Sequence, residues 1–311
     1  MQTAKTGHMI LEVVSGTIPH AIGQFILERR TRNLSHHTLR FYKDELYLFV
    51  DYLGDQGVEL LSELTPETIR GYLLHLAGRR NGGGCHAAFR AIRALLLWAW
   101  EEYELPGRNP ISRVAAPKQR KDVLPGVPLE DVARMVKACS GDRLARRDAS
   151  VLLTLLDTGV RAGELIALDI GDLALANGTI TVRHGKGDKQ RTVYAGRTTR
   201  KALRAYLNTR MEAKKDEPLF ITIHGERLTI PGLRRMLEKR AGQAGIKAPS
   251  LHSFRRCFAL EALRNGVDVF SLQELLGHSD LSVLKRYLKQ TDQDLHAAHV
   301  RGSPVERMQR K

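Results

Sequence analysis

The chain has 311 residues, 42% of them hydrophobic, and carries a formal net charge of +15 with a pI near 10.0. That length accommodates two domains with cores of their own, and its longest apolar runs, such as Ala94 to Trp100, are far too short to span a bilayer. A charge excess of this size points to a polyanionic partner, with nucleic acid ahead of a lipid surface because no basic amphipathic segment with a strong apolar face appears.

Residues 1–17 read as an N-terminal tail, and 18–105 as a small helical unit. Phe25 through Arg32 is the end of one helix. Ser35 suits the N-cap of the next, along which Leu39, Tyr42, Leu46, Phe49, Val50 and Leu53 recur at helical spacing up to Gly54. Thr65-Pro66-Glu67 opens a third, by a capping hydroxyl, proline in the first turn and early acid. It is expected to run to about Arg80, where Asn81-Gly82-Gly83-Gly84 breaks it. A fourth helix carries Phe89, Ile92, Leu95, Leu96, Trp98 and Trp100.

Five prolines punctuate the following stretch, and residues 106–127 read as an extended basic linker that includes Lys118, Arg120 and Lys121. Such a segment suits passage around a rod-like anion, and equally an ordinary surface connection. A second, mostly helical domain is expected over 128–290. Leu129 opens it, and Arg147 to Thr158 is an apolar helix stopped by Gly159. Glu164 to Leu168 is a short helix. Thr179–Val182 and Arg191–Tyr194 are short strands joined by the turn Gly185-Lys186-Gly187-Asp188. Thr198 to Lys214, Ile230 to Gly242, His252 to Gly266, Val269 to Leu276 and Leu281 to Leu288 read as helices. Residues 291–311 form a tail that either docks on a neighbouring protomer or folds back on its own domain. The basic excess concentrates late. Residues 126–311 hold 33 Lys and Arg against 21 Asp and Glu, residues 1–125 only 16 against 13, so the second domain is the stronger phosphate binder.

Taken singly, the polar residues of this domain have plain readings. Arg161 pairs with Glu164 one helical turn away. Lys186 is a solvated turn lysine, and His252 and Arg255 at i, i+3 are a surface pair. His278 caps the helix ending at Leu276. Tyr287 packs on a stripe of Leu281, Leu284 and Leu288. Taken together, in the order Arg161, Lys186, His252-x-x-Arg255, His278, Tyr287, they are a set suited to phosphodiester chemistry.

That ordered set, in the contexts Thr158–Leu165, Gly185–Arg191, Leu251–Arg255 and Leu275–Tyr287, resembles the tyrosine recombinase (phage integrase) family, in particular its Xer-like and phage or transposon integrase branch. Leu34-Ser35-His36-His37-Thr38-Leu39, followed by Tyr42, Leu46 and Phe49, is similar to the opening helices of the family's core-binding domain. The resemblance implies a mainly α fold with a small β-sheet: an N-terminal four-helix core-binding (SAM-like) domain and a C-terminal α+β catalytic domain. It implies an enzyme that cuts and rejoins double-stranded DNA at specific sites through a 3′-phosphotyrosine, without metal, ATP or other cofactor. Arg161 and Arg255 would clamp the phosphate, since guanidinium forks match two oxygens at once. Tyr287 would be the nucleophile, His252 its proton acceptor, and His278 a hydrogen-bond partner of the phosphate or leaving group. Lys186, with Lys189 as a second candidate, would protonate the leaving 5′-oxygen. Glu164 resembles the family's buried acid and would orient Arg161. Lys118, Arg120, Lys121, Lys189, Arg191 and Arg256 are further candidates for DNA contact. Assembly into a tetramer on DNA is implied, with room for a second recombinase or accessory proteins.

The three cysteines, Cys85, Cys139 and Cys257, are isolated and lack metal-ligand spacing, so neither disulfides nor zinc are expected. With no basic-then-apolar signal at the start, a cytoplasmic, nucleoid-associated protein is expected. Three other protein classes fit parts of this pattern. A type IB topoisomerase shares the chemistry, but the helical unit and linker look like the recombinase arrangement. A non-catalytic architectural DNA-binding protein leaves the catalytic set unexplained, and an RNA-binding protein lacks stacking aromatic motifs.

Overall fold

The computed structural model describes residues 16–118, 125–183, 190–210 and 212–277, together with positions 296, 299, 300, 302, 303 and 305. The tail 1–15, the turn Gly185 to Asp188, the helix read over Leu281 to Leu288 and most of the C-terminal tail lie outside them. The chain forms two compact units, divided after residue 122. Among the described residues no helix is long and apolar enough to cross a membrane.

The first unit is built from α1 (Ile18–Thr31), α2 (His36–Gly54), α3 (Pro66–Ala77) and α4 (Gly82–Glu102). Side-chain caps set three of the starts, two of them, Ser35 and Thr65, expected from the sequence. Ser35 Oγ accepts from the Thr38 amide at 3.3 Å, Thr65 Oγ1 from the Thr68 amide at 3.1 Å, and Asn81 Oδ1 from the Gly84 amide at 2.9 Å. Asn81-Gly82-Gly83-Gly84 is therefore not a loop. The Asn81 cap lets the glycines form the first turn of α4, and α3 ends earlier than expected, at Ala77. One core is shared by Ile18, Ile22 and Phe25 of α1, Leu46, Phe49 and Leu53 of α2, Ile69 and Tyr72 of α3, and Ile92, Leu95 and Leu96 of α4. The stretch read as an extended linker is partly folded onto this core. Pro110–Arg113 forms a 3₁₀ turn, Ile111 and Val114 are buried, Asn109 Nδ2 donates to Leu96 O at 2.8 Å, and Arg70 donates to Arg113 O at 2.7 Å.

The second unit contains α5 (Leu129–Lys137), α6 (Arg143–Thr158), α7 (Ala162–Ala167), β1 (Leu173–Ala174), β2 (Thr179–Val182), β3 (Arg191–Tyr194), α8 (Arg197–Leu207), α9 (Ile230–Gln243), α10 (Leu251–Arg264) and α11 (Val269–Leu276). The strands form an antiparallel sheet in the order β1-β2-β3, with Ile180 opposite Val193 and Val182 opposite Arg191. Strands β2 and β3 fall where the alternation placed them; β1, only two residues long, is too short to show a period. Helix α6 is the centre of the unit, packing on α8 and α10 with Val151, Leu152 and Leu155 in a core shared with Leu203, Leu233, Phe254 and Val193. Helix α8 stops at Leu207, well before the expected Lys214, and a 3₁₀ turn follows. There Thr209 Oγ1 donates to Tyr206 O at 2.6 Å and the Arg210 guanidinium binds the carbonyls of Pro218 and Leu219, which turns the chain.

A buried ionic cluster joins three parts of this unit. Asp148 of α6 accepts from Arg147 Nε at 2.9 Å and from Arg240 Nε of α9 at 2.8 Å, while Arg147 also donates to Ile221 O at 2.7 Å. The mostly helical fold with one small sheet is the class expected from the sequence.

Candidate active site

The site begins where α6 ends. Gly159 adopts the left-handed conformation (φ 61°), and a Cβ there would collide with the Phe258 ring, so both backbone and packing call for glycine. Two residues on, Arg161 caps α7 with an extended backbone. Glu164, in the first turn of α7, accepts the Arg161 amide on Oε2 at 2.7 Å and Arg161 Nη1 on Oε1 at 2.7 Å. The ion pair read from the i, i+3 spacing is present.

A third partner was not expected there. Arg191 of β3 donates Nη1 to Glu164 Oε1 at 2.9 Å and Nη2 to Oε2 at 2.7 Å, a bidentate grip, and its Nε donates to Leu275 O at 3.1 Å. Its side chain is only 10% exposed, and its donors face a carboxylate and a helix end inside the protein. The alternation of β3 carried the signal. Arg191 shares a strand face with Val193, which is buried, and stands opposite buried Val182. Burial alone would raise the Glu164 pKa; hydrogen bonds from Arg191 and from the Arg161 backbone and side chain outweigh it and hold the carboxyl down at about 2.

Arg255 of α10 is 1% exposed. Its Nη1 donates to Gly159 O at 2.7 Å and its Nη2 to Leu276 O at 2.6 Å. Both carbonyls lie at helix C-termini, of α6 and α11, where the partial negative charge of the helix suits a buried guanidinium. Arg255, expected as half of a phosphate clamp, is enclosed between those two helix ends.

His252 stands one turn before Arg255 on α10, whose N-terminus is capped by Ser250 Oγ accepting from the Ser253 amide at 3.2 Å. Although the residue is exposed at the surface, its pKa lies below the usual histidine value. Desolvation of part of the ring is the largest cause, followed by the positive charges of Arg256, Arg255 and Arg161. The three positive charges make the surroundings of His252 electropositive. Arg256 is half-buried, with Nη2 3.4 Å from Ser250 Oγ. Lys118 is exposed at the end of the first unit's described residues. Lys186, Lys189, His278, Tyr287, Arg120 and Lys121 lie outside the described residues.

The structure thus defines a helical protein of two units, the second carrying an arginine cluster around a small sheet, with one buried glutamate partnering two of the arginines. Known proteins agree with that outline. The phage integrase family model matches residues 127–294, and that of the phage integrase N-terminal SAM-like domain matches 25–102. The tyrosine recombinase XerC of Pelotomaculum thermopropionicum is 33% identical over 307 residues, covering 91% of this chain and 97% of its own. The tyrosine recombinase XerD of Halalkalibacterium halodurans is 30% identical over 280 residues, covering 87% and 93%. In structure, the chain resembles the XerH site-specific recombinase bound to palindromic difH substrate in a post-cleavage complex, with a TM-score of 0.72 at 22% identity, covering 88% of this chain and 82% of that one. The chain belongs to the phage integrase family of tyrosine recombinases, and is a site-specific DNA recombinase.

Proposed function

We propose that the protein cuts and rejoins DNA through Tyr287, with Arg161 and Arg255 stabilising the charge that develops on the scissile phosphate. The observation that carries this reading is the mounting of Arg161 on Glu164, backed by Arg191, while Arg191 and Arg255 hold the adjacent carbonyls Leu275 O and Leu276 O of one helix end. Attack on a phosphodiester adds negative charge to the non-bridging oxygens, and aimed guanidinium donors contribute about 2–4 kcal/mol each to lowering such a barrier. For Arg255 to reach the phosphate, its Nη2 would exchange the Leu276 carbonyl for a phosphate oxygen.

Tyrosine has a reference pKa of about 10, so Tyr287 needs a proton acceptor at neutral pH. His252 fits, because its depressed pKa keeps the imidazole neutral and able to accept. Cleavage should accordingly decline with acid at a lower pH than an ordinary histidine would set, as His252 takes up a proton. Lys186, or Lys189 in its place, would protonate the departing 5′-oxygen, and His278 would bond the phosphate. The 3′-phosphotyrosine stores the energy of the broken bond, so religation needs no ATP and this set of residues uses no metal. Exchange between two duplexes needs four cleavages, which a tetramer on DNA supplies. A second recombinase or accessory proteins can complete that assembly, and a cytoplasmic, nucleoid-associated location follows from the substrate.

The decisive test is covalent trapping on nicked duplexes drawn from a random-sequence library. The wild-type chain should form a protein–DNA adduct that Tyr287→Phe abolishes while still binding the duplex. An adduct that persists in Tyr287→Phe removes Tyr287 as nucleophile. Strand exchange between two trapped sites, against relaxation of supercoils alone, separates recombinase from topoisomerase.

A further inference from the structure

Arg191 bonds two of the site's components at once. Its bidentate grip takes one lone pair of each Glu164 oxygen, and Arg161 takes another of each through its amide and Nη1. Its Nε meanwhile holds the Leu275 carbonyl in the last turn of α11. The helix end lies close against this side chain: Gly277 has φ 62°, and a Cβ there would stand 2.7 Å from Arg191 Cδ and 3.1 Å from Nε. In sequence, His278 follows Gly277 directly. Arg255 takes the adjacent carbonyl of the same helix end, Leu276 O.

Charge makes the same point. One glutamate paired with Arg161 alone would cancel its positive charge. With Arg191 added, two guanidinium groups share one carboxylate, and the cluster keeps a net positive charge beside the 31% exposed side chain of Arg161. A phosphate approaching Arg161 then meets attraction that a one-to-one pair would lack.

We propose that Arg191 is a positioning residue for strand cleavage, holding Glu164 and through it Arg161 in register with the C-terminal end of α11. This deepens the recombinase reading and rests on it. Arg191 acts on the phosphate only through Arg161 and through the helix end that leads to His278. Among the described residues, the charged groups placed against Glu164 are Arg161 from its own helix and Arg191 from β3. Removing Arg191 leaves a buried carboxylate with half its donors, so it protonates more readily as pH falls and releases Arg161.

The test is single-turnover covalent trapping on a nicked duplex selected from a random-sequence library by wild-type trapping. Arg191→Gln should bind the duplex within about threefold of wild type and form adduct on the order of 100-fold more slowly, the scale of an angstrom-sized misplacement at a reacting centre. The deficit should widen as pH falls, because the variant's Glu164, stripped of the Arg191 fork, takes up a proton more readily than the wild type's. Combining Glu164→Gln with Arg191→Gln should remove the widening. Arg191→Lys, which keeps the charge and loses the fork, should restore part of the rate. Should Arg191→Gln fail to fold, Arg191→Lys carries the test, with a smaller deficit that widens with acid in the same way. Adduct formation at the wild-type rate in either variant overturns the proposal. A deficit that is flat with pH and tracks lost thermal stability also overturns it, leaving Arg191 a prop of the fold. If wild type traps no duplex at all, the recombinase reading itself falls and this one with it.

Discussion

Two carboxylates in the second unit each hold two arginines, and the pairs differ in one respect that matters. Asp148 binds Arg147 and Arg240 with all three side chains at most 10% exposed. Glu164 binds Arg161 and Arg191 with the same stoichiometry and comparable distances, but Arg161 is 31% exposed. In the first cluster both guanidinium groups are consumed internally, one on Ile221 O and the other on Ala138 O and Gln243. In the second, one arginine is anchored from behind and faces outward. The same ion chemistry serves as a fastener in one place and as a mount for a functional group in the other. Exposure of a single member decides which.

The largest expected effect breaks the fastener. Asp148→Ala leaves two buried guanidinium groups without their counter-charge, which should cost about 3–5 kcal/mol of stability. The molecules that remain folded should still cleave DNA at near the wild-type rate. Urea unfolding checks the first part, and adduct formation normalised to folded protein checks the second. Reduced cleavage per folded molecule would mean that the two clusters are coupled.

Next in size is the mount. Arg161→Ala should slow adduct formation by about 2–4 kcal/mol in barrier, roughly 30- to 1,000-fold. Stability should change by no more than about 1 kcal/mol, since the lost partner is partly solvated and Glu164 retains the Arg191 fork. Single-turnover kinetics and urea unfolding on the same preparation separate the two quantities. A stability loss like that of Asp148→Ala would make the Glu164 cluster a fastener like that of Asp148.

How much of this was legible in the sequence follows from the range of each interaction. Ser35, Thr65, Gly159 and the Arg161–Glu164 pair act within one turn of their partners, and their local spacing announced them. Strands β2 and β3 were legible from alternation and Leu129, Ile230 and Val269 from the onset of helical periodicity. The Asp148–Arg240 contact joins residues 92 positions apart and the Arg191–Leu275 contact 84; no periodicity reports such pairings. Arg255 was recognised by its place in His252-x-x-Arg255, but its burial between Gly159 O and Leu276 O depends on how three helices meet. The over-long reading of α8 has the same origin, because Arg210 turns the chain toward carbonyls at Pro218 and Leu219 that the helical pattern cannot show.

The smallest effect concerns acid. With its folded-state pKa held at about 2, Glu164 binds a proton less readily in the folded chain than in the unfolded one, where it titrates near 4.5. Its contribution to stability is therefore fully present above about pH 4.5 and is lost as pH falls toward 2. The shift corresponds to at most about 3 kcal/mol, and less in practice because Arg161, one of the partners that cause it, is open to solvent and its attraction is screened. Comparing wild type with Glu164→Gln isolates this group from the other carboxylates. The stability gap between them should be widest near pH 6 and should close as the pH approaches 2 or 3. Salt provides a second handle, since added potassium chloride should narrow the gap at pH 6 by weakening the exposed Arg161 limb and leave the buried Arg191 limb largely untouched. A gap that stays constant with pH would mean that the carboxylate gains nothing from its two arginines in the folded state, and the geometry at Arg161 would then need another anchor.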